Sequence, residues 1–143
     1  MSYLTYDEYQ ALGFKLEEQQ FTQYLKRAES QIDSVTRAFY RSIDIDTDQV
    51  EDRVTAFKTA ICEQVDFLAY AGSETSYQLA QSDYNSVSIG RLSLSPKSGL
   101  ADTVIGGVCM EARNLLGRYG LLFTGVLACY QELISVYVIS KSL

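Results

Sequence analysis

A chain of 143 residues, 47% hydrophobic and 21% charged, is long enough to bury the core of one globular domain, too short for two, and too apolar to stay disordered. A net charge of −6 with scattered Lys and Arg argues against tight nucleic-acid binding, and the absence of histidine removes the commonest general base and the usual activator of a Ser or Cys nucleophile. Cys62, Cys109 and Cys129 stand far apart with no Cys-x-x-Cys pair, so reduced core thiols are expected, and no metal or cofactor.

The start "MSYLTYDEY" lacks the basic and apolar regions of a signal peptide, consistent with a cytosolic product. A short helix is predicted over 5–13: Thr5 is the N-cap, Glu8 closes a capping box, Leu4 and Tyr9 form a hydrophobic staple, and Gly13 is the stop. A long helix follows over 17–41, with Phe21, Leu25, Ala28, Ile32, Val35 and Phe39 at alternating spacings of four and three. A second, over 48–71, repeats the stripe with Val50, Val54, Phe57, Ile61, Val65 and Leu68 and ends at Gly72. Joined by a short acidic turn, the two should pair antiparallel, with Phe39 near Val54 or Phe57 at one end and Phe21 toward Leu68 at the other.

Within that turn, Asp44, Asp46 and Asp48 copy the first three ligand positions of an EF-hand loop. Gln49 stands where the loop needs glycine and Thr55 where it needs a bidentate glutamate, so helix capping explains the carboxylates better than calcium. The polar stretch 73–85 reads as a loop. It leads into "NSVSIGRLSLSP", in which Val87 and Ile89 alternate with serines, the phase slips, and Leu92 and Leu94 alternate again. A β-hairpin over 86–95 turning on Gly90-Arg91 accounts for the slip, because it pairs Ile89 with Leu92 and Ser88 with Ser93 and puts all four apolar residues on one face. A single strand bulged at Gly90 is the competing reading.

A further helix is predicted over 100–118, carrying Val104, Val108, Ala112 and Leu115 on one face. Gly106 and Gly107 weaken it, so they either allow close helix approach or precede the true helix start. The segment 121–143 is apolar but interrupted by Gly125, Gln131 and Glu132, which argues against a membrane span. Within it, "ISVYVI" favours a strand over a helix and needs covering by the chain's own core or by a partner. Eleven tyrosines without a tryptophan suit either a subunit contact or the half-buried edge of a small core.

No pair of carboxylates stands isolated in an apolar run, and "GGVCMEARNLLG" matches no phosphate-binding signature, so an enzyme is not expected. The fold class expected is mainly α: a small helical bundle built on two long antiparallel helices, with a short β-hairpin and an apolar C-terminal segment. In the order and spacing of "YLTYDEYQALGF", "FTQYLKRAESQIDSVTRAFY", "VEDRVTAFKTAICEQVDFLAYAG" and "SVSIGRLSLS", the chain resembles the head–tail connector (adaptor, or head-completion) proteins of long-tailed bacteriophages. The likeness runs over roughly the whole chain and departs past Gly120.

That resemblance implies a homo-oligomeric ring beneath the phage portal protein, made in the bacterial host cytoplasm and placed at the head–tail interface of the virion. The ring would extend the DNA channel without binding DNA specifically, contact no membrane, and offer a surface to the next head-completion or tail-end protein. The expected assembly interface is Val87, Ile89, Gly90, Arg91, Leu92 and Leu94, with Tyr137 and Ile139 of the C-terminal segment. The alternative is a cytosolic helical interaction or regulatory protein that binds its partner by β-addition.

Overall fold

The computed structural model of the chain describes residues 2–72, 88–89, 92–93 and 104–123. Helix α1 (Tyr6–Ala11) starts at the predicted capping box. The Glu8 amide donates to the Thr5 hydroxyl oxygen at 3.3 Å, and the Thr5 amide donates to the Glu8 carboxylate at 2.9 Å. Leu4 and Tyr9, the staple pair, are both buried, and the chain leaves α1 through Gly13 at φ +97, a conformation that glycine adopts without a Cβ penalty.

Helices α2 (Glu18–Val35) and α4 (Glu51–Ala71) form the predicted pair. The N-terminal segment shows their direction. Tyr3 hydrogen-bonds Asp33 and packs edge-on against Phe57 with ring centroids 5.3 Å apart, while Tyr9 packs against Phe21 at 4.7 Å and donates its hydroxyl proton to Asp66. The Asp33 end of α2 therefore lies by the Phe57 end of α4, and Phe21 by Asp66, so the helices are antiparallel. Phe57, Ile61, Val65 and Leu68 are buried along α4 together with Ala56, Ala60, Cys62 and Gln64. This is wider than one stripe because α4 is central, with α2 on one side and a C-terminal helix on the other. Each fully buried large apolar side chain here contributes about 1.5–3 kcal/mol.

Two predicted helices are corrected. The helix expected over 17–41 stops at Val35, and the chain turns through Arg37 and Ala38, both at φ +55, before a short helix α3 (Phe39–Ser42). Left-handed backbone at a residue with a Cβ costs roughly 1–2 kcal/mol. Contacts made by α3 offset it: Tyr40 is buried against Phe57 at 4.6 Å and donates to Asp48 Oδ2 at 2.6 Å, and Arg41 Nε donates to Asp33 at 2.8 Å. Tyr40 thus fills the core place that the stripe assigns to Phe39, and Phe39 is half-buried beneath the Arg53 guanidinium, 5.3 Å from its ring centroid.

The helix expected over 100–118 is a hairpin followed by a shorter helix. Strands β3 (Val104–Ile105) and β4 (Val108–Cys109) pair across Gly106 and Gly107, whose φ of +66 and +86 suit the two central positions of a type I′ turn, and α5 (Met110–Arg118) begins after them. The glycines precede the helix start, the second of the two readings offered above. Between α3 and α4, Asp44 accepts from the Asp46 amide at 3.0 Å and starts a single 3-10 turn, Ile45–Thr47, and Asp48 Oδ1 accepts from the Val50 amide at 2.9 Å. The fold is mainly helical, with small antiparallel ladders attached. The loop expected over 73–85 and the strand or helix within 124–143 lie outside the described residues.

Candidate assembly surface

The stretch singled out from the sequence forms an antiparallel pair, β1 (Ser88–Ile89) with β2 (Leu92–Ser93). Its register is the one the phase slip requires: Ile89 opposite Leu92, and Ser88 opposite Ser93. This is the register from which the sequence pattern expects a single apolar face. Of the remaining interface positions, Val87, Gly90, Arg91, Leu94, Tyr137 and Ile139 lie outside the described residues.

The second hairpin was not expected, and it is built firmly into the fold. Val108 and Cys109 are buried against α4. Gln64, fully buried on α4, clips the hairpin in place: its Oε1 accepts from the Cys109 amide at 2.8 Å, and its Nε2 donates to the Gln31 side-chain oxygen at 2.9 Å and to the Gly107 carbonyl at 3.3 Å. Strand β3, the outer strand, leaves Ile105 exposed. Met110, Tyr119 and Phe123 are exposed on and beyond α5, whose Ala112 and Leu116 face inward. A Gly-Gly pair between two short β-branched runs was a readable hairpin signal.

Among the described residues, the tyrosines serve the core more than the surface. Tyr3 donates to Asp33, Tyr9 to Asp66, Tyr40 to Asp48, and Tyr6 to the Leu16 carbonyl at 2.9 Å. Each ring is buried or half-buried while its hydroxyl meets an acceptor, the arrangement that suits an amphipathic side chain at the edge of a small core. Burial and the acceptor carboxylate push the Tyr9 and Tyr40 phenols well above their ordinary range. Among the described tyrosines, Tyr70 and Tyr119 are the exposed exceptions.

Asp48 is held by two Arg53 hydrogen bonds of 2.7 and 2.8 Å and by Tyr40. The Arg53 bonds are the main cause of a carboxyl pKa lowered to about 2. Burial raises Glu63 and Asp66; for Glu63, the neighbouring Asp66 and Glu111 charges add to it. Burial likewise pushes the Cys62 thiol up to about 12 and Cys109 to about 11, so both are held protonated as apolar core groups. Among the described residues, no three Cys, Asp or Glu side chains converge as a metal site, and no helix is long and apolar enough to cross a membrane. Chemically, the arrangement offers apolar and backbone surface for contact, with Asp33, Asp48 and Asp66 engaged in the fold.

No protein-family model matches the chain, and no solved structure does. It is 34% identical over 138 residues to the protein named "Uncharacterized protein ORF4" of Lactococcus phage LL-H, an alignment covering 87% of this chain and 96% of the relative. It is 33% identical over 139 residues, with the same coverage, to the protein of that name in Lactococcus phage mv4. The chain therefore belongs to the family of phage proteins that includes ORF4 of phages LL-H and mv4.

Proposed function

We propose that this phage protein is a structural subunit that forms a ring under the portal, joins head to tail, and lengthens the DNA channel. The observation that carries the reading is the β1–β2 register. A lone two-stranded ladder is marginal in water, and the observed pairing of Ile89 with Leu92 is the one for which the alternation with serine expects an apolar face in need of a neighbour. A neighbouring copy in a closed ring covers such a face at every position and leaves no open edge. The phage relatives, and the resemblance of the sequence to head–tail connectors in the order and spacing of its segments, support the same reading. The net charge of −6 suits a conduit, since an acidic wall repels DNA and lets it slide.

Ile89→Asp tests the proposal. A carboxylate buried unpaired in a subunit contact is strongly unfavourable, whereas in a free subunit it stays in water. Circular dichroism and the melting temperature should remain near wild type, while incorporation into heads and tail joining fail. Unfolding of the isolated subunit would instead mean that the hairpin packs on its own helices. Normal particles would make it a passive surface loop. A monomer that tolerates the change in virions but loses a non-virion partner would favour the β-addition regulator.

A further inference from the structure

The turn between α2 and α3 places two consecutive non-glycine residues, Arg37 and Ala38, at φ +55. It is a Schellman-type closure, in which the Ala38 amide donates to the Asp33 carbonyl at 2.7 Å and Arg37 fills the left-handed position that normally selects glycine. Ala38 then opens α3 with no side chain able to cap it. Arginine and alanine are both strong helix formers, so these residues favour the helix that the backbone interrupts. The apolar stripe repeats that preference, because Phe21, Leu25, Ala28, Ile32, Val35 and Phe39 keep helical spacing straight across the turn. Local preference and observed conformation disagree at one point, which is the mark of a strained element held by its surroundings.

We propose that residues 36–38 are a two-state joint whose second state is one continuous helix, Glu18–Ser42, with Phe39 replacing Tyr40 on the core face. The latch of the bent state is Asp33. Its carboxylate accepts from Arg41 Nε at 2.8 Å and from the Tyr3 hydroxyl at 3.1 Å, and its carbonyl holds the Ala38 amide. In a continuous helix, residues 33 and 41 lie about 12 Å apart along the axis, so the Arg41 bond must open. Two turns beyond Ile32, Phe39 would return to the stripe and Tyr40 would swing off it, leaving Phe57 and Asp48. Straightening exchanges the Tyr40–Phe57, Tyr40–Asp48 and Arg41–Asp33 contacts for relief of two strained residues and new intrahelical hydrogen bonds. A balance between discrete packings of this kind is what makes an element bistable. The inference goes beyond the connector reading and does not depend on it.

Backbone ¹⁵N relaxation dispersion on the purified chain is the test. In the wild type, amides from Thr36 to Ser42 should exchange on the microsecond-to-millisecond scale with a minor state of about 0.1–10%, whose carbon shifts at 37 and 38 are helical. The double variant Arg37→Gly/Ala38→Gly should lower that population about tenfold or more, because glycine accepts φ > 0 and weakens the straight helix. Arg41→Ala should raise it several-fold; if that variant fails to fold, Arg41→Lys, which keeps the charge and loses the Nε bond, should do so more weakly. Absence of exchange in both the wild type and the Arg41 variant, or a minor state that is not helical at 37–38, would overturn the proposal. So would a minor population unmoved by the glycines.

Discussion

Replacing Gln64 with leucine probes the clip between α4 and the second hairpin. Gln64→Leu keeps nearly the same volume, so no large cavity opens and the loss is mainly polar. Gln31 and Gly107 are half-buried, and water can replace the glutamine amide at both. Cys109 is 1% exposed, and its amide would face a leucine methyl with no acceptor. A buried donor orphaned in this way costs about 1–3 kcal/mol, from which the better burial of leucine subtracts a part. The expected net loss is about 1–2 kcal/mol, or about 3–8 °C in melting temperature for a chain of this size. Gln64→Ala adds a cavity and should cost about 3–5 kcal/mol. Urea unfolding followed by circular dichroism measures both, and hydrogen exchange of the Cys109 amide reports on the bond itself. A Gln64→Leu protein as stable as wild type, with the Cys109 amide still slow to exchange, would refute the reasoning.

Phe57→Ala should cost about 3–5 kcal/mol, since the ring is fully buried between Tyr3 and Tyr40; an unchanged thermal melt would contradict the packing of the helix pair. Asp48 titrates near 2 in the folded chain against an ordinary 3.8, so its pairing contributes stability that is fully present above about pH 4 and lost as pH falls through 2. That contribution is at most about 2 kcal/mol, less whatever solvent screens at the Arg53 edge, and Asp48→Asn should flatten the acid limb of the stability curve over that window. Millimolar calcium should leave the melting temperature unchanged, because Asp44 and Asp48 are engaged with backbone amides, Arg53 and Tyr40. A rise of several degrees that Asp46→Asn abolishes would show a specific site.

What could be read from the sequence was whatever is encoded within a few residues. The Thr5–Glu8 capping box, the stripes of α2 and α4, and the β1–β2 register all rest on spacings of two, three or four, and all three are found in the structure, except that Phe39 falls beyond the end of α2 and Val50 precedes α4 as an exposed N-cap. The bend at 36–38 was invisible because its cause is tertiary: Tyr40 and Arg41 are drawn to Phe57, Asp48 and Asp33, against the preference of Arg37 and Ala38 for helix. The Gly106-Gly107 turn was visible but ambiguous. Val104, Val108, Ala112 and Leu115 fit a helical period, and only the reset of phase at Met110 moves the buried position from Leu115 to Leu116. The tyrosine–carboxylate contacts join residues far apart in the chain, such as Tyr9 with Asp66, and no local pattern announces them. At the candidate interface, the pairing of Ile89 with Leu92 was legible from the alternation with serine, and Gln64, the residue that fixes the second hairpin, was not.

The connector role is tested most directly by infecting with a phage that lacks this gene and examining the lysate by electron microscopy. The account predicts filled or emptied heads and complete tails lying separate, with joined particles restored when the wild-type chain is supplied in trans and not when Ile89→Asp is supplied. Intact, tailed particles in the absence of the gene would contradict it.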